Sequence, residues 1–185
     1  MDQYTINKLE NVFMLNNQLI HIKNIINNIT IEQIEYTIYD MNVQTEYAIL
    51  KSNYENPINN MMIGCFGGGP YQITQGKHNN GFWILAKLEN ELVAVIMVNF
   101  RKNGPWIWNV CRNTLPKYNG YGIGESLIKY ALNHLQNKYS KHKKIYLYAS
   151  QIPVSRTKFY ESLGFVLTSK FASDGITPRM VFNQI

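Results

Sequence analysis

Two cysteines, Cys65 and Cys111, are all that the 185 residues contain. They stand far apart without a CxxC partner, so their spacing suggests neither a disulfide framework nor a zinc site, and a reducing cytosol is the default compartment. No two of the four histidines have metal-ligand spacing, so no metal is expected. Long apolar runs are missing as well. The longest, Leu92 to Val98, is too short to span a bilayer, and the opening MDQYTINKLENVF lacks the basic start and smooth apolar stretch of a signal peptide. The expectation is a soluble, cytoplasmic chain with no membrane partner. Acidic residues are scarce: 12 Asp and Glu stand against 18 Lys and Arg, a net charge of +6 that favours acidic or phosphorylated ligands. The lysines are spread thinly, and their one cluster, Lys138, Lys141, Lys143 and Lys144, suits a solvated helix end whose dipole welcomes cations. No nucleic-acid partner is expected.

What is present is apolar bulk: 45% hydrophobic and 13% aromatic residues, enough to fill the core of one domain spanning 1–185. Val12, Leu15, Leu19, Ile22 and Ile26 recur at helical spacing and predict an N-terminal helical extension over 1–32. IEYTIYD from Ile34 alternates as a strand does, and Tyr47 to Tyr54 reads as a helix ended near Pro57. Gly64 to Gly69 reads as a loop. It is no P-loop, because Tyr71 stands where that motif needs Gly before Gly76-Lys77, and His78 follows where Ser or Thr is needed.

Three strand-like runs come next, FWILAKL from Phe82, LVAVIMVNF from Leu92 and WIWNVC from Trp106. Glu89-Asn90-Glu91 and Lys102-Asn103-Gly104 are short polar turns between them, which predicts an antiparallel meander. The middle run is apolar on both faces, as a central strand would be. Ile123, Leu127, Ala131, Leu132 and Leu135 then mark an amphipathic helix. IYLYA from Ile145 reads as a buried strand, followed by a helix from about Pro153 to Leu163 that Gly164 stops. A hairpin of Phe165–Phe171 and Thr177–Phe182 turns at Asp174-Gly175. The whole predicts one mixed α/β domain.

The segment Pro116 to Leu127 joins strand to helix through Gly120, Gly122 and Gly124. Glycines let backbone N–H groups approach a phosphate, and a helix N-terminus points free amides and its dipole at it. A tight connection packing a helix on a sheet would use the same glycines. The order strand, glycine turn, helix, strand, helix, FYESLGF resembles the GNAT superfamily of N-acetyltransferases over about residues 82–171. Asn119-Gly120-Tyr121-Gly122-Ile123-Gly124 matches both glycines of that family's Q/R-x-x-G-x-G/A turn, with Asn in place of Arg or Gln. Phe159-Tyr160-Glu161-Ser162-Leu163-Gly164-Phe165 matches its later signature, a helix whose Tyr precedes a Gly-Phe pair. Pro153 and Arg156 replace the Asn and Ala usual before that Tyr.

The resemblance implies a GNAT-like acyltransferase fold: a mixed, mostly antiparallel sheet flanked by helices, with splayed strands four and five at about 106–114 and 144–150. It makes 82–171 the cofactor-binding core for acetyl-CoA. The pyrophosphate would lie on Lys117, Tyr118, Asn119, Gly120, Tyr121, Gly122, Ile123, Gly124, Glu125 and Ser126, with Lys117 adding charge. The pantetheine arm would pair with strand four, where a backbone amide near Val110, Cys111, Arg112 or Asn113 polarises the thioester. Tyr160 would donate a proton to the leaving thiolate, its phenol being protonated at neutral pH and the thiol having a pKa of about 8.5; packing beside Phe159 is its other possible role. Glu89, Glu91, Asp40 and His78 are conceivable bases, and none is assigned. The implied activity is transfer of acetyl to a primary amine, on a small molecule or a protein, by direct attack in a ternary complex. A catalytically silent CoA-binding module is the alternative. A monomer and a homodimer both fit.

Overall fold

Residues 92–98 are apolar at every position, and a strand of that composition must be covered on both faces. The computed structural model, which describes residues 33–67, 73, 80–149 and 155–184, does this with helices on both sides of a seven-stranded sheet. The elements are β1 (Glu35–Asp40), α1 (Gln44–Phe66), β2 (Gly81–Leu88), β3 (Glu91–Arg101), β4 (Gly104–Arg112), a 3-10 turn (Pro116–Tyr118) and α2 (Ile123–Lys138). β5 (Lys144–Tyr148), α3 (Ser155–Ser162), β6 (Val166–Phe171) and β7 (Pro178–Asn183) complete them. The strand order is β1-β2-β3-β4-β5-β7-β6, with β4 and β5 parallel and the other pairs antiparallel. The mixed α/β sheet and central β3 agree with the sequence reading; the extension expected over 1–32 lies outside the described residues.

Alternation along β2 and β3 decides which helix each side chain meets. Ile84, Ala94, Ile96 and Val98 pack with Ile123, Leu127, Ala131 and Leu135 of α2. Trp83, Leu85, Val95 and Met97 pack with Leu50, Ile58 and Met62 of α1. The turn between β2 and β3 places Glu89 at φ 50° and Asn90 at φ 67°, the two left-handed residues that match a two-residue hairpin to the strands' twist.

Two expectations are corrected. The helix expected to end near Pro57 runs from Gln44 to Phe66, straight through that proline and through Gly64, and stops at Gly67. A helix-interior proline costs about 3 kcal/mol. Leu50, Ile58 and Met62 lie on one buried face on both sides of it, and burying each is worth about 1.5–3 kcal/mol, so burial outweighs the proline. The loop read from Gly64 therefore starts at Gly67.

The cysteines are the second correction: Cys65 and Cys111 form a disulfide. The last turn of α1 packs on the end of β4 and brings the two Cα atoms to 6.0 Å, within the span of a disulfide. Spacing along the chain held no trace of that contact. The compartment inferred from cysteine number therefore loses its basis.

The strand that matters most for function is irregular. Met97 pairs with Asn109 but Val98 pairs with Ile107, so Trp108 is an extra residue in β4, a β-bulge. On the other edge, Trp106 pairs with Tyr146 and Ile107 with Leu147, and pairing with β5 ends there among the described residues. From Trp108 onward the two strands part, which is the splay the resemblance implied.

The bridge closes a separation of 46 residues, so reduction should destabilise the fold by about 2–4 kcal/mol, or roughly 5–15 °C in melting temperature. Melting curves of the wild type with and without dithiothreitol, beside Cys111→Ser in both conditions, check this. Equal curves throughout would show that the bridge constrains nothing.

Candidate active site

The glycine turn between β4 and α2 is held from below. Glu91, at the start of β3, accepts hydrogen bonds from the Tyr118 hydroxyl and from Lys117 Nζ at 2.7 Å. The Lys117 bond, then the Tyr118 bond, hold the Glu91 carboxyl below its ordinary pKa. Burial first, and the Glu91 bond second, push the Tyr118 phenol up. This anchor seats Pro116–Tyr118 and leads the chain into Gly120 at φ 83° and Gly122 at φ 66°. Both values are left-handed, where a side chain would be strained.

Gly122 is the N-cap of α2 and offers no side chain to the helix end. The Ser126 N–H is bonded to the Gly122 carbonyl at 2.9 Å, which leaves the amides of Ile123, Gly124 and Glu125 as the helix's open first turn. Its neighbour Glu125 is paired with Lys129 at 2.7 Å. The result is a cradle of backbone donors at a helix N-terminus.

The cradle opens into a cavity of about 760 Å³ that fills the gap between the parted strands. Gly120, Gly122 and Gly124 form one end. Trp108, Val110 and Arg112 of β4 face Tyr148 and Ala149 from β5 and its exit, while α3 supplies Arg156, Phe159 and Tyr160, and α1 supplies Gly64, Cys65 and Phe66. Tyr160 stands edge-on to Phe159 and Phe165, with ring centroids at 5.3 and 5.9 Å. Burial pushes its phenol up to about 12, against a smaller opposing effect of the Arg156 charge.

Of the residues expected to hold the cofactor, Val110, Arg112, Tyr118, Gly120, Gly122, Ile123, Gly124 and Glu125 line this cavity, as does Tyr160. Others look elsewhere. Cys111 is buried toward α1 in its disulfide, and the Ser126 hydroxyl is bonded to Tyr36 at 2.6 Å. Lys117 is held by Glu91, and Tyr121 is half-buried against the core. Asn119 Oδ1 accepts from Arg112 Nη1 at 2.9 Å, so the cation brought beside the turn is Arg112, where Lys117 had been expected. Among the conceivable bases, Glu91 is engaged as above, Asp40 accepts from the Asn42 backbone and side chain, and Glu89 sits in the β2–β3 turn. His78 lies outside the described residues. Among those described, no metal-binding group of three or more His, Cys, Asp or Glu is found.

Sequence reasoning missed Trp108, Phe66 and Tyr148 as cavity residues, and Arg156 was noted only as a departure. The bulge that turns Trp108 into the gap has no sequence signal, because it is a mismatch between two strands.

These features define a class, a mixed α/β fold with a cradle of backbone donors beside a split sheet. Comparisons agree. Residues 78–167 match the family model described as an acetyltransferase (GNAT) domain. The solved structure of an acyl-CoA N-acyltransferase from Pseudomonas aeruginosa superposes with a TM-score of 0.62 at 18% identity, covering 80% of this chain and 99% of that one. Escherichia coli ElaA gives 0.60 at 19% identity, covering 81% and 99%. A GNAT family acetyltransferase from Elizabethkingia anophelis, solved with acetyl-CoA bound, gives 0.51 at 16% identity, covering 82% and 98%. No curated protein matches by sequence. The stretch 78–167 thus carries the match to the GNAT acetyltransferase domain, and the chain has the GNAT fold.

Three substitutions test the cradle. A Cβ at Gly124 would meet nothing closer than the Phe159 ring at 3.9 Å, so Gly124→Val should fold with a near-native melting temperature while its methyls block the cavity and abolish stabilisation by acetyl-CoA. Thermal shift at saturating acetyl-CoA reads this, and an intact shift would refute the cradle. Arg112→Ala should weaken acetyl-CoA by about 2- to 5-fold at low salt, as expected for an exposed charge contact, with the difference shrinking as salt rises. Lys117→Ala should bind acetyl-CoA like wild type. Calorimetric titration of both variants would show the opposite order if Lys117 were the phosphate's partner.

Proposed function

We propose that the chain is an N-acetyltransferase that moves the acetyl group of acetyl-CoA onto a primary amine by direct attack in a ternary complex. The observation that carries this reading is the split between β4 and β5, which opens a cavity with the glycine cradle at one end and Tyr160 in its wall. The pyrophosphate rests on the open amides of Ile123, Gly124 and Glu125, with Arg112 alongside. The pantetheine arm takes the place of β5 along the unpaired edge of β4, whose backbone groups otherwise lack strand partners. That pairing delivers the thioester to the bulge at Trp108, where a strand amide polarises its carbonyl.

The neutral amine attacks the carbonyl carbon, the C–S bond breaks, and the nitrogen gives up a proton as the thiolate leaves. Complete transfer of the Tyr160 proton to a thiolate of pKa about 8.5 would be uphill by about 3.5 pKa units, or roughly 5 kcal/mol. Tyr160 therefore stabilises the thiolate as a hydrogen-bond donor, and the amine's proton reaches the sulfur through water. Glu125 is the one carboxylate in the cavity wall among the described residues, and it is tied to Lys129. That scarcity of bases favours the alternative, a CoA-binding module that turns nothing over. Release of free CoA across an amine panel separates the two, since the module would release none.

Tyr160→Phe removes a hydrogen bond to a developing charge, worth about 1.5–3 kcal/mol, and should lower kcat roughly 10- to 150-fold with acetyl-CoA affinity within twofold of wild type. Because the wild-type phenol stays protonated until about pH 12, the rate should climb with pH as the acceptor ammonium loses its proton, with no falling limb from Tyr160 below pH 10. Steady-state profiles of both proteins check this. An unchanged kcat in the variant would leave Tyr160 a packing residue.

A further inference from the structure

The acceptor end of the cavity is walled by aromatic rings and, among the described residues, lacks carboxylates. Trp108 is 44% exposed and Phe66 47%, high values for residues of this size, and Tyr148 completes the group. The Arg101 guanidinium lies 4.6 Å from the Trp108 ring centroid and 4.9 Å from that of Trp106, so it steadies the indole from behind. An indole held this way, and projected by a bulge, is a fixed stacking surface.

The charges near the rings have one sign. Arg112 and Arg156 line the cavity. Of the nine carboxylates among the described residues, Glu125 alone lines it, at the cradle end and paired with Lys129. Segments 68–79 and 150–154 contain no Asp or Glu, and the remaining three, Asp2, Glu10 and Glu32, belong to the first 32 residues. With Arg112 beside the pyrophosphate, a polyamine or amino sugar with several positive charges would meet Arg156 and, among the described residues, no free carboxylate.

We propose that the acceptor is a primary amine borne on an aromatic ring system without a second positive charge, and that Trp108 determines this specificity by stacking with the ring. The inference rests on the transfer reading and names its substrate class. The amine reaches the thioester across the bulge while its ring lies on Trp108, with Phe66 beside it. Leaving the rest of the acceptor neutral or acidic suits Arg156.

The test uses the whole protein saturated with CoA and titrated calorimetrically with tryptamine, phenethylamine, n-butylamine and spermidine, with CoA release from acetyl-CoA measured in parallel. Tryptamine and phenethylamine should bind about tenfold or more tighter than n-butylamine and spermidine. Trp108→Ala should erase that preference, and Trp108→Phe should restore most of it. Preference for spermidine, or an aromatic preference indifferent to Trp108→Ala, overturns the inference. Turnover of spermidine without turnover of tryptamine would do so while leaving the transfer reading intact. Tryptamine binding through Trp108 with no CoA release from any amine would uphold the aromatic site and end the transfer reading.

Discussion

Backbone amides and carbonyls inside a sheet need partners, and the structure is organised around an interior strand edge whose strand partner ends partway. β4 and β5 hold together over two residue pairs and then part. The bulge at Trp108 is the cause on the β4 side, since one extra residue bends the strand and increases its twist. On the β5 side, β7 takes the opposite edge along the full length of the strand, from Lys144 to Tyr148, so the sheet continues beyond the gap and does not fray. The opening is thus a rigid notch framed by two sound halves of a sheet.

The helices are placed to serve that notch. α2 lies on the face formed by β2 and β3, and its N-terminus comes out beside β4 because Glu91 seats the turn that precedes it. Tyr36 adds a second fixing point, stacking on Tyr130 at 4.3 Å and bonding Ser126. On the other face, α1 is carried past Pro57 by its buried side chains until its last turn reaches the end of β4, where the disulfide joins them. A cradle of backbone donors, an open strand edge and an aromatic wall therefore share one cavity although they come from four regions of the chain.

The electrostatic pattern follows from that assembly. Arg112 is drawn to the turn by Asn119, and Lys117 is drawn away from it by Glu91, so two basic residues five apart take different duties. Tyr160 acquires its raised pKa from burial between Phe159, Phe165 and the sheet, an environment that does not exist until α3 docks.

Much was legible in the amino-acid order, and for a physical reason: periodicity and turn chemistry are local. The continuous apolar run of β3, the alternation at β1, the helical spacing of Ile123 to Leu135 and the left-handed glycines before it each report on a few neighbouring residues. They predicted the sheet, α2 and the glycine turn before it, and the FYESLGF signature marked α3. Where the sequence misled, a distant contact had overruled a local rule. Pro57 reads as a stop, but burial of α1 against β2 and β3 carries the helix across it. Cys65 and Cys111 read as unrelated thiols until α1 and β4 pack together. Lys117 reads as a charge for the turn alone, and the start of β3 adds a partner for it in Glu91. Trp108 reads as one more alternating strand residue, because a bulge exists only in the register between two strands. Local order wrote the elements and the glycine turn; tertiary packing alone decided which side chains share the cavity, since charge pairing, burial and register all depend on residues far apart in the chain.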